Sequence, residues 1–370
     1  MGNMKLHTRL AIQQRVLTPY RLAFFDRLAA ACDGGVSVFA GLPRPEESIA
    51  TTDTLQVAHY TSAQNIHFLR GPLYLCYQLG LPHWLADYDP DLLILEANPR
   101  YLSTPSALHW MKQRGRPVLG WGLGAPPLTG PLSGLRKSRR SSFLRPFDGL
   151  ITYSRRGAGE YAALGFPADR IFVAPNAASP PPESPIPLRP PTFNGKPCVL
   201  FVGRLQARKR IDDLLQACAT LNESIRPRLV IVGEGPERLA LEALARTVYP
   251  SAEFPGAKHG AELVPYFSAA DLFILPGTGG LAVQEAMSYG LPVIMGRGDG
   301  TNDELVRPAN GWQLPAPQAL AGVLREALSD VARLRAMGAE SYRIVREEIN
   351  LEKMVGVFVE ALNKFQKQEN

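Results

Sequence analysis

Long apolar runs are missing from this chain: no stretch of its 370 residues approaches the ~18 consecutive apolar positions that a membrane-crossing helix needs. The first residues carry arginines within a strand-like run and lack a signal-peptide pattern, so a cytoplasmic location is expected. Cysteine is scarce, and Cys32, Cys76, Cys198 and Cys218 make no CxxC pair, which argues against a disulfide framework or a zinc site and for small buried thiols. His7, His59, His67, His83, His109 and His259 show no ligand spacing and read as surface or packing residues. Only His109, beside Trp110, is a candidate for lining a cleft. Asp87, Asp89 and Asp91 alternate like metal ligands, but Asp-Pro-Asp before an apolar run is the chemistry of a polar turn, and no metal is expected. No short internal repeat is present. No recognition motif or stacking-aromatic pattern accompanies the basic charge, which excludes nucleic acid as the expected partner.

What the chain does contain is core. Apolar residues make up 45% and charged residues 20%, and the length suits two domains better than one. The net charge of +6 is uneven: residues 1–178 hold 19 Lys and Arg against 12 Asp and Glu, and the remainder 21 against 22. Much of the excess lies in Leu132 to Phe147, where Arg136, Lys137, Arg139, Arg140 and Arg145 alternate with Leu135, Phe143 and Leu144. That is an ordinary surface helix or a face for an anionic membrane, peripheral on the inner side.

Continuous apolar runs alternate with helical patterns. Arg9 to Leu17, Gly35 to Phe39, Asp91 to Glu96, Pro117 to Trp121, Gly149 to Tyr153 and Ile171 to Val173 read as buried strands, with helices at Leu22 to Ala31, Ser106 to Arg114 and Ala158 to Leu164. Between about 40 and 85 the pattern is weak. Strands that are apolar throughout argue for a parallel sheet covered on both faces. Residues 179–197, SPPPESPIPLRPPTFNGKP, suit neither a helix nor a central strand and read as an extended linker. The rhythm then restarts at Cys198 to Val202 and continues to Glu348. The expected organisation is an N-terminal domain 1–178, a linker 179–197, a C-terminal domain 198–348 and a C-terminal helix within 349–370 that returns to the first domain.

Four turns in the second half follow strands and so fall at the carboxyl edge of a sheet, where open α/β folds bind ligands. Gly203-Arg204-Leu205 through Lys209 offers Arg204 and Lys209 for phosphate oxygens. Gly233-Glu234-Gly235-Pro236 and Phe254 to Lys258 are the next two. The fourth, Pro276-Gly277-Thr278-Gly279-Gly280, leads into a helix from Leu281 that carries Glu285 one turn in, a favourable place for an anion and for a pair of hydroxyls. In the first half, Glu96 and Asn98 stand at a strand end.

These pieces resemble the donor domain of glycosyltransferase family four in order and spacing over about 110 residues: Val202-Gly-Arg-Leu to Lys209, Val232-Gly-Glu-Gly-Pro, Ala269-Ala-Asp-Leu-Phe-Ile-Leu-Pro276, and Glu285-Ala-Met-Ser-Tyr-Gly-Leu-Pro-Val-Ile294. Val16-Leu-Thr-Pro-Tyr-Arg-Leu-Ala-Phe-Phe, Trp121-Gly-Leu-Gly124 and Asp148 to Ser154 are similar to a bacterial surface-polysaccharide branch of that family. The resemblance implies the α/β GT-B fold, two Rossmann-like domains with parallel sheets facing a central cleft. It also implies transfer of a sugar from a nucleotide-diphosphate donor, UDP or GDP, to a glycan or lipid-linked acceptor, with retention and with no metal or other cofactor. Arg204, Lys209 and Glu285 would carry catalysis. The donor would be held by Gly203, Glu234, Phe254, Lys258, Thr278, Gly279, Gly280, Leu281 and Ala282 together with Glu285, and Tyr20, Arg21, Glu96, Asn98, Leu123 and Gly124 would border the acceptor.

Two positions depart from the family pattern. Gly277 stands where a glutamate commonly contacts the donor sugar, and Leu123 where many members have a histidine. Two alternatives stay open: a non-catalytic nucleotide-sugar-binding subunit, for which these departures are the best argument, and an epimerase or hydrolase of the same fold, whose need for a carboxylate and a histidine fits them poorly.

Overall fold

The computed structural model describes residues 6–47, 49–279, 281–296, 298 and 301–366. The chain divides into two compact units, Met1–Ala178 with Leu351–Asn370, and Ser179–Asn350.

In the first unit the order is β1 (Leu10–Val16), α1 (Leu22–Ala30), β2 (Val36–Gly41), β3 (His59–Ser62), β4 (Gln64–Phe68), β5 (Leu75–Leu79), α2 (Leu81–Tyr88), β6 (Leu92–Glu96), α3 (Thr104–Gln113), β7 (Val118–Gly122), α4 (Ser133–Leu144), β8 (Gly149–Thr152), α5 (Arg155–Ala162) and β9 (Ile171–Val173). The second unit runs β10 (Cys198–Val202), α6 (Ile211–Ala219), β11 (Arg228–Val232), α7 (Arg238–Val248), β12 (Glu253–Gly256), α8 (Val264–Ala269), β13 (Leu272–Leu275), α9 (Leu281–Ser288), β14 (Val293–Gly296), α10 (Thr301–Leu305), β15 (Gly311–Leu314), α11 (Leu320–Ser329) and α12 (Val331–Glu347). The last helix, α13 (Leu351–Phe365), belongs to the first unit.

Each unit is a doubly wound parallel sheet. The first has the order β3-β2-β1-β6-β7-β8-β9 and the second β12-β11-β10-β13-β14-β15. Pairing is parallel throughout both. Alternate residues of one strand feed opposite cores, which is why these strands read as unbroken apolar runs: Leu10 and Ile12 pack toward α1 and α13, and Ala11 packs toward α2 and α3. Helix α13 closes the first core through Phe358, whose ring lies 4.8 Å from Phe24 and 4.9 Å from Trp121.

Two local readings need correction. Residues 179–197 carry no helix or strand, but they are strapped to the second unit rather than free. Arg189 donates to the carbonyls of Ala270 (2.8 Å), Phe267 (3.0 Å) and Tyr289 (2.8 Å), satisfying acceptors that the ends of α8 and α9 leave open. The weakly patterned stretch before α2 holds three strands: β3 extends the main sheet, and β4 with β5 forms a separate antiparallel hairpin.

Candidate functional site

Strand order reverses direction on either side of β10, so the crevice at the carboxyl ends of β10 and β13 is the switch point of the second sheet. The loop after β10 straddles it, and two of its cations, Arg204 and Lys209, go to opposite sides.

On the β11 side, Arg204 is exposed at the wall of a cavity of about 450 Å³ that also includes Gly203, Glu234, Gly235, Lys258 and His259. Three strand-end loops are laced together beneath it. Leu205 donates its N–H to Glu234 O (2.8 Å), Gly233 to Gly256 O (2.9 Å) and Gly203 to Val232 O (3.0 Å). Gly233 has φ +147°, and a Cβ there would overlap the carbonyl oxygen of Gly203, so only glycine permits the close approach. Glu234 is paired with Arg238, which also holds Glu242 (2.7 Å). Lys258 faces Glu262 at 3.6 Å.

Two expectations change here. Phe254 does not line the cavity; its ring packs on the apolar core of the sheet. His259, read from the sequence as a surface or packing residue, does line it, and forms a capping box with Glu262 at the start of the following turn. A strand-end position three residues after Gly256 was the only signal for it.

On the β13 side, Lys209 reaches across to the turn after β13. Its ammonium donates to Thr278 O at 2.5 Å, and Thr278 N–H donates to Arg208 O at 3.2 Å. Burial, with Arg208 adding repulsion, lowers the Lys209 pKa to about 8. Gly279 has φ +138°, and a Cβ there would overlap the Lys209 ammonium. The ammonium thus lies over the glycine turn that precedes α9, in the place where an anion at that helix start would meet it. Leu281 and Ala282 form the first turn of α9, and Glu285 follows, half-buried, its carboxyl raised above the ordinary range by burial. Gly280 lies outside the described residues. The structure therefore gathers Gly203, Arg204, Glu234 and Lys258 into one group, and Lys209, Thr278 and Gly279 into another on the far side of β10.

In the first sheet the reversal falls between β1 and β6, and Glu96 ends β6 at that point. Its carboxylate accepts from the Arg15 N–H at 2.6 Å, while the Arg15 side chain pairs with Glu47 at 2.8 Å. Burial pushes the Glu96 carboxyl up to about 7 against the pull of Arg15. The folded chain then binds more protons than the unfolded chain between pH 4.5 and 7, and stability falls as pH rises through that window. Glu96→Gln is expected to flatten this slope in thermal unfolding across the same range; unchanged curves would show that Glu96 does not titrate there.

The other acceptor-side candidates are dispersed. Arg21 is 5% exposed and buried by design: it donates to Tyr153 OH (2.9 Å) and Asn176 Oδ1 (2.8 Å) and stacks on Tyr20, Trp121 and Tyr153. Asn98 uses its side chain to cap the Arg100 N–H (3.1 Å). Leu123 is exposed beyond β7, and Gly124 adopts φ +111° against α5. Asp89 is held below the usual carboxylate range by Arg116 and Arg9, Arg9 also faces Asp91 at 3.9 Å, and Asp87 faces His83 at 3.4 Å; no group of three metal-ligating side chains occurs among the described residues. The four cysteines are buried and free.

Residues 188–344 match the family described as Glycosyl transferases group 1. A GDP-mannose-dependent alpha-mannosyltransferase of Mycobacterium tuberculosis is 35% identical over 167 residues, covering 42% of each chain. The aligned part thus spans less than half the length of that curated relative. Among solved structures, a sucrose-phosphate synthase from Thermosynechococcus elongatus is 19% identical with a TM-score of 0.67, covering 97% of this chain and 99% of that one. HepE of Anabaena in complex with UDP is 15% identical with a TM-score of 0.66, covering 96% and 99%. At these identities the two likenesses establish the fold, that of the GT-B glycosyltransferases.

Proposed function

We propose that this chain, whose residues 188–344 form a glycosyl transferases group 1 domain, moves a sugar from a nucleoside diphosphate onto a glycan or lipid-linked acceptor with retention at the anomeric carbon. The observation that carries the reading is the loop after β10, which sends Arg204 and Lys209 to either side of the switch point. The cavity of about 450 Å³ suits a nucleoside, with Glu234, Lys258 and His259 at its rim. Lys209 and the start of α9 suit the diphosphate, whose charge grows as the glycosidic bond breaks. Glu285, one turn into α9, is the acceptor for ribose hydroxyls.

Retention needs no protein base if the departing phosphate takes the acceptor proton, which is compatible with Leu123 in place of a histidine. Lys209 and the helix start supply the positive charge that a divalent cation supplies elsewhere, so the reaction is proposed to be metal-independent. The acceptor is assigned to the first unit, near Glu96 at its own switch point. Helix α4, with exposed Arg136, Lys137 and Arg139 and with Arg140, is proposed to rest on an anionic membrane. Among the described residues no helix is long and apolar enough to cross one.

Radiolabelled GDP-mannose, named for the relative above, and UDP-glucose, with which HepE of Anabaena has also been solved in complex, are the first donors to test with glycan and lipid-linked acceptors. Transfer to acceptor is the expected outcome. Donor breakdown that ignores acceptor would instead indicate a hydrolase or epimerase, and tight binding without turnover a non-catalytic subunit.

A further inference from the structure

The β4–β5 hairpin is built inside out. Its strands alternate, and the side chains that face the protein are the polar ones. Asn65 donates to Arg15 O (2.7 Å) and Leu42 O (2.8 Å), and accepts from Gln78 (2.9 Å). Gln78 is 1% exposed, donates to Gln14 O (3.0 Å) and pairs with Gln13. His67 contacts the Tyr74 hydroxyl (2.9 Å). The alternate positions, Gln64, Ile66 and Phe68 on β4 and Leu75, Tyr77 and Leu79 on β5, point the other way and are apolar except Gln64 at the end away from the tip, with Ile66 paired across to Tyr77 and Phe68 to Leu75. Beyond them the tip exposes more: Phe68 is 44% exposed, Leu69 61% and Leu73 69%. A contiguous apolar face on a two-stranded ribbon is costly in water, and the polar network beneath fixes it outward rather than letting it turn inward.

We infer that this hairpin is a lipid-inserting element, seating its apolar face and tip in the headgroup boundary of an anionic membrane. The inference rests on the membrane reading of α4 and adds the apolar half of that contact. Charge supports lipid over a second copy of the chain. Residues 54–86 contain no Asp or Glu, and residues 130–147 contain none either while holding five Lys and Arg. Arg70 stands at the tip, its side chain 85% exposed and only loosely faced by Glu46 at 3.8 Å. The hairpin is tied to the carboxyl ends of β1 and β2, and α4 follows the carboxyl end of β7, so both lie at one edge of one sheet. Neither attraction alone holds a protein firmly on a bilayer; an apolar insertion combined with a basic patch does.

The test uses the full chain with vesicles of phosphatidylcholine, with and without phosphatidylglycerol. Phe68→Trp, read as a difference from the parent protein, is expected to shift its emission to the blue and to be quenched by brominated lipid when anionic vesicles are added. The double variant Phe68→Ser with Leu73→Ser is expected to bind those vesicles about ten-fold more weakly with an unchanged unfolding midpoint. If the vesicles bind the protein but leave Phe68→Trp unaltered, and only Lys137→Glu with Arg139→Glu releases it, the α4 contact stands and the hairpin inference fails. If no vesicle binds, both fail. A blue shift that grows with protein concentration in the absence of lipid would show that the face pairs two copies and would overturn the inference.

Discussion

Lys209→Ala is expected to lower sugar transfer by about 10²- to 10³-fold in kcat, equivalent to roughly 3 to 4 kcal/mol of lost transition-state stabilisation, and Arg204→Ala to raise KM more than it lowers kcat. The difference comes from where the loop sends them. Lys209 lies over the glycine turn that leads into α9, where the leaving diphosphate would gain charge, donating to the Thr278 carbonyl at 2.5 Å, while Arg208 reaches the Thr278 hydroxyl at 3.4 Å. Arg204 faces the cavity on the far side of β10, where a nucleoside would bind with the same strength before and during reaction. Isothermal titration with the nucleoside diphosphate and single-turnover kinetics separate the two effects. Equal losses of kcat in both variants would mean that one phosphate site holds both cations.

Lys209 also gives that loss a pH signature. With its pKa lowered to about 8 by burial, its charge disappears as pH rises through 8, and affinity for a diphosphate falls with it. Stability without ligand moves the opposite way. Between about 8 and the ordinary 10.5 the unfolded chain binds the extra proton, so the folded state gains as pH rises. Lys209→Arg, which keeps its charge throughout, should bind with no such pH dependence.

The sheets were legible because parallel strands buried on both faces leave continuous apolar runs, as in Cys198 to Val202 and Leu92 to Leu95. The strand-end loops were legible because their glycines are constrained: Gly233 stands where the Gly203 backbone leaves no room for a side chain, and Gly279 holds φ at +138°. What a strand's pattern does not carry is which of its two faces looks outward. Asn65 and His67 alternate with Ile66 and Phe68, and an ordinary reading buries the second pair. Here Gln13, Gln14 and Gln78 supply polar partners at the sheet edge, and the first pair goes in. Arg21 illustrates the same limit. A cation beside Tyr20 in a strand-to-helix loop reads as a substrate contact, and nothing in the local sequence shows that Tyr153, Asn176 and Trp121 converge to bury it. Phe254 likewise belongs to a strand end by sequence and to the core by packing.

Gly277→Glu, which would place a glutamate where related donor domains commonly carry one, is expected to abolish donor binding rather than improve it. Gly277 is buried, and a Cβ built there would overlap the Arg208 carbonyl oxygen and lie 2.6 Å from Lys209 Cα. Both neighbours are backbone, so relief requires the loop after β10 to move as a whole. That movement breaks the Thr278 N–H to Arg208 O bond and withdraws Lys209 from the Thr278 carbonyl. Overpacking of this kind costs about 1–3 kcal/mol in stability, and the displaced Lys209 costs the function on top of it. Gly277→Ala separates the cause from the chemistry. If the missing carboxylate were merely an absent sugar contact, Ala would be neutral and Glu would raise affinity. If the Cβ is what the site rejects, Ala and Glu both lose affinity for the nucleoside diphosphate, a ligand that lacks the donor sugar the carboxylate would touch. Titration of both variants with that diphosphate decides it: wild-type affinity in Gly277→Ala would show that the loop after β10 yields, and that donor-sugar recognition, rather than close packing, determines what this position carries.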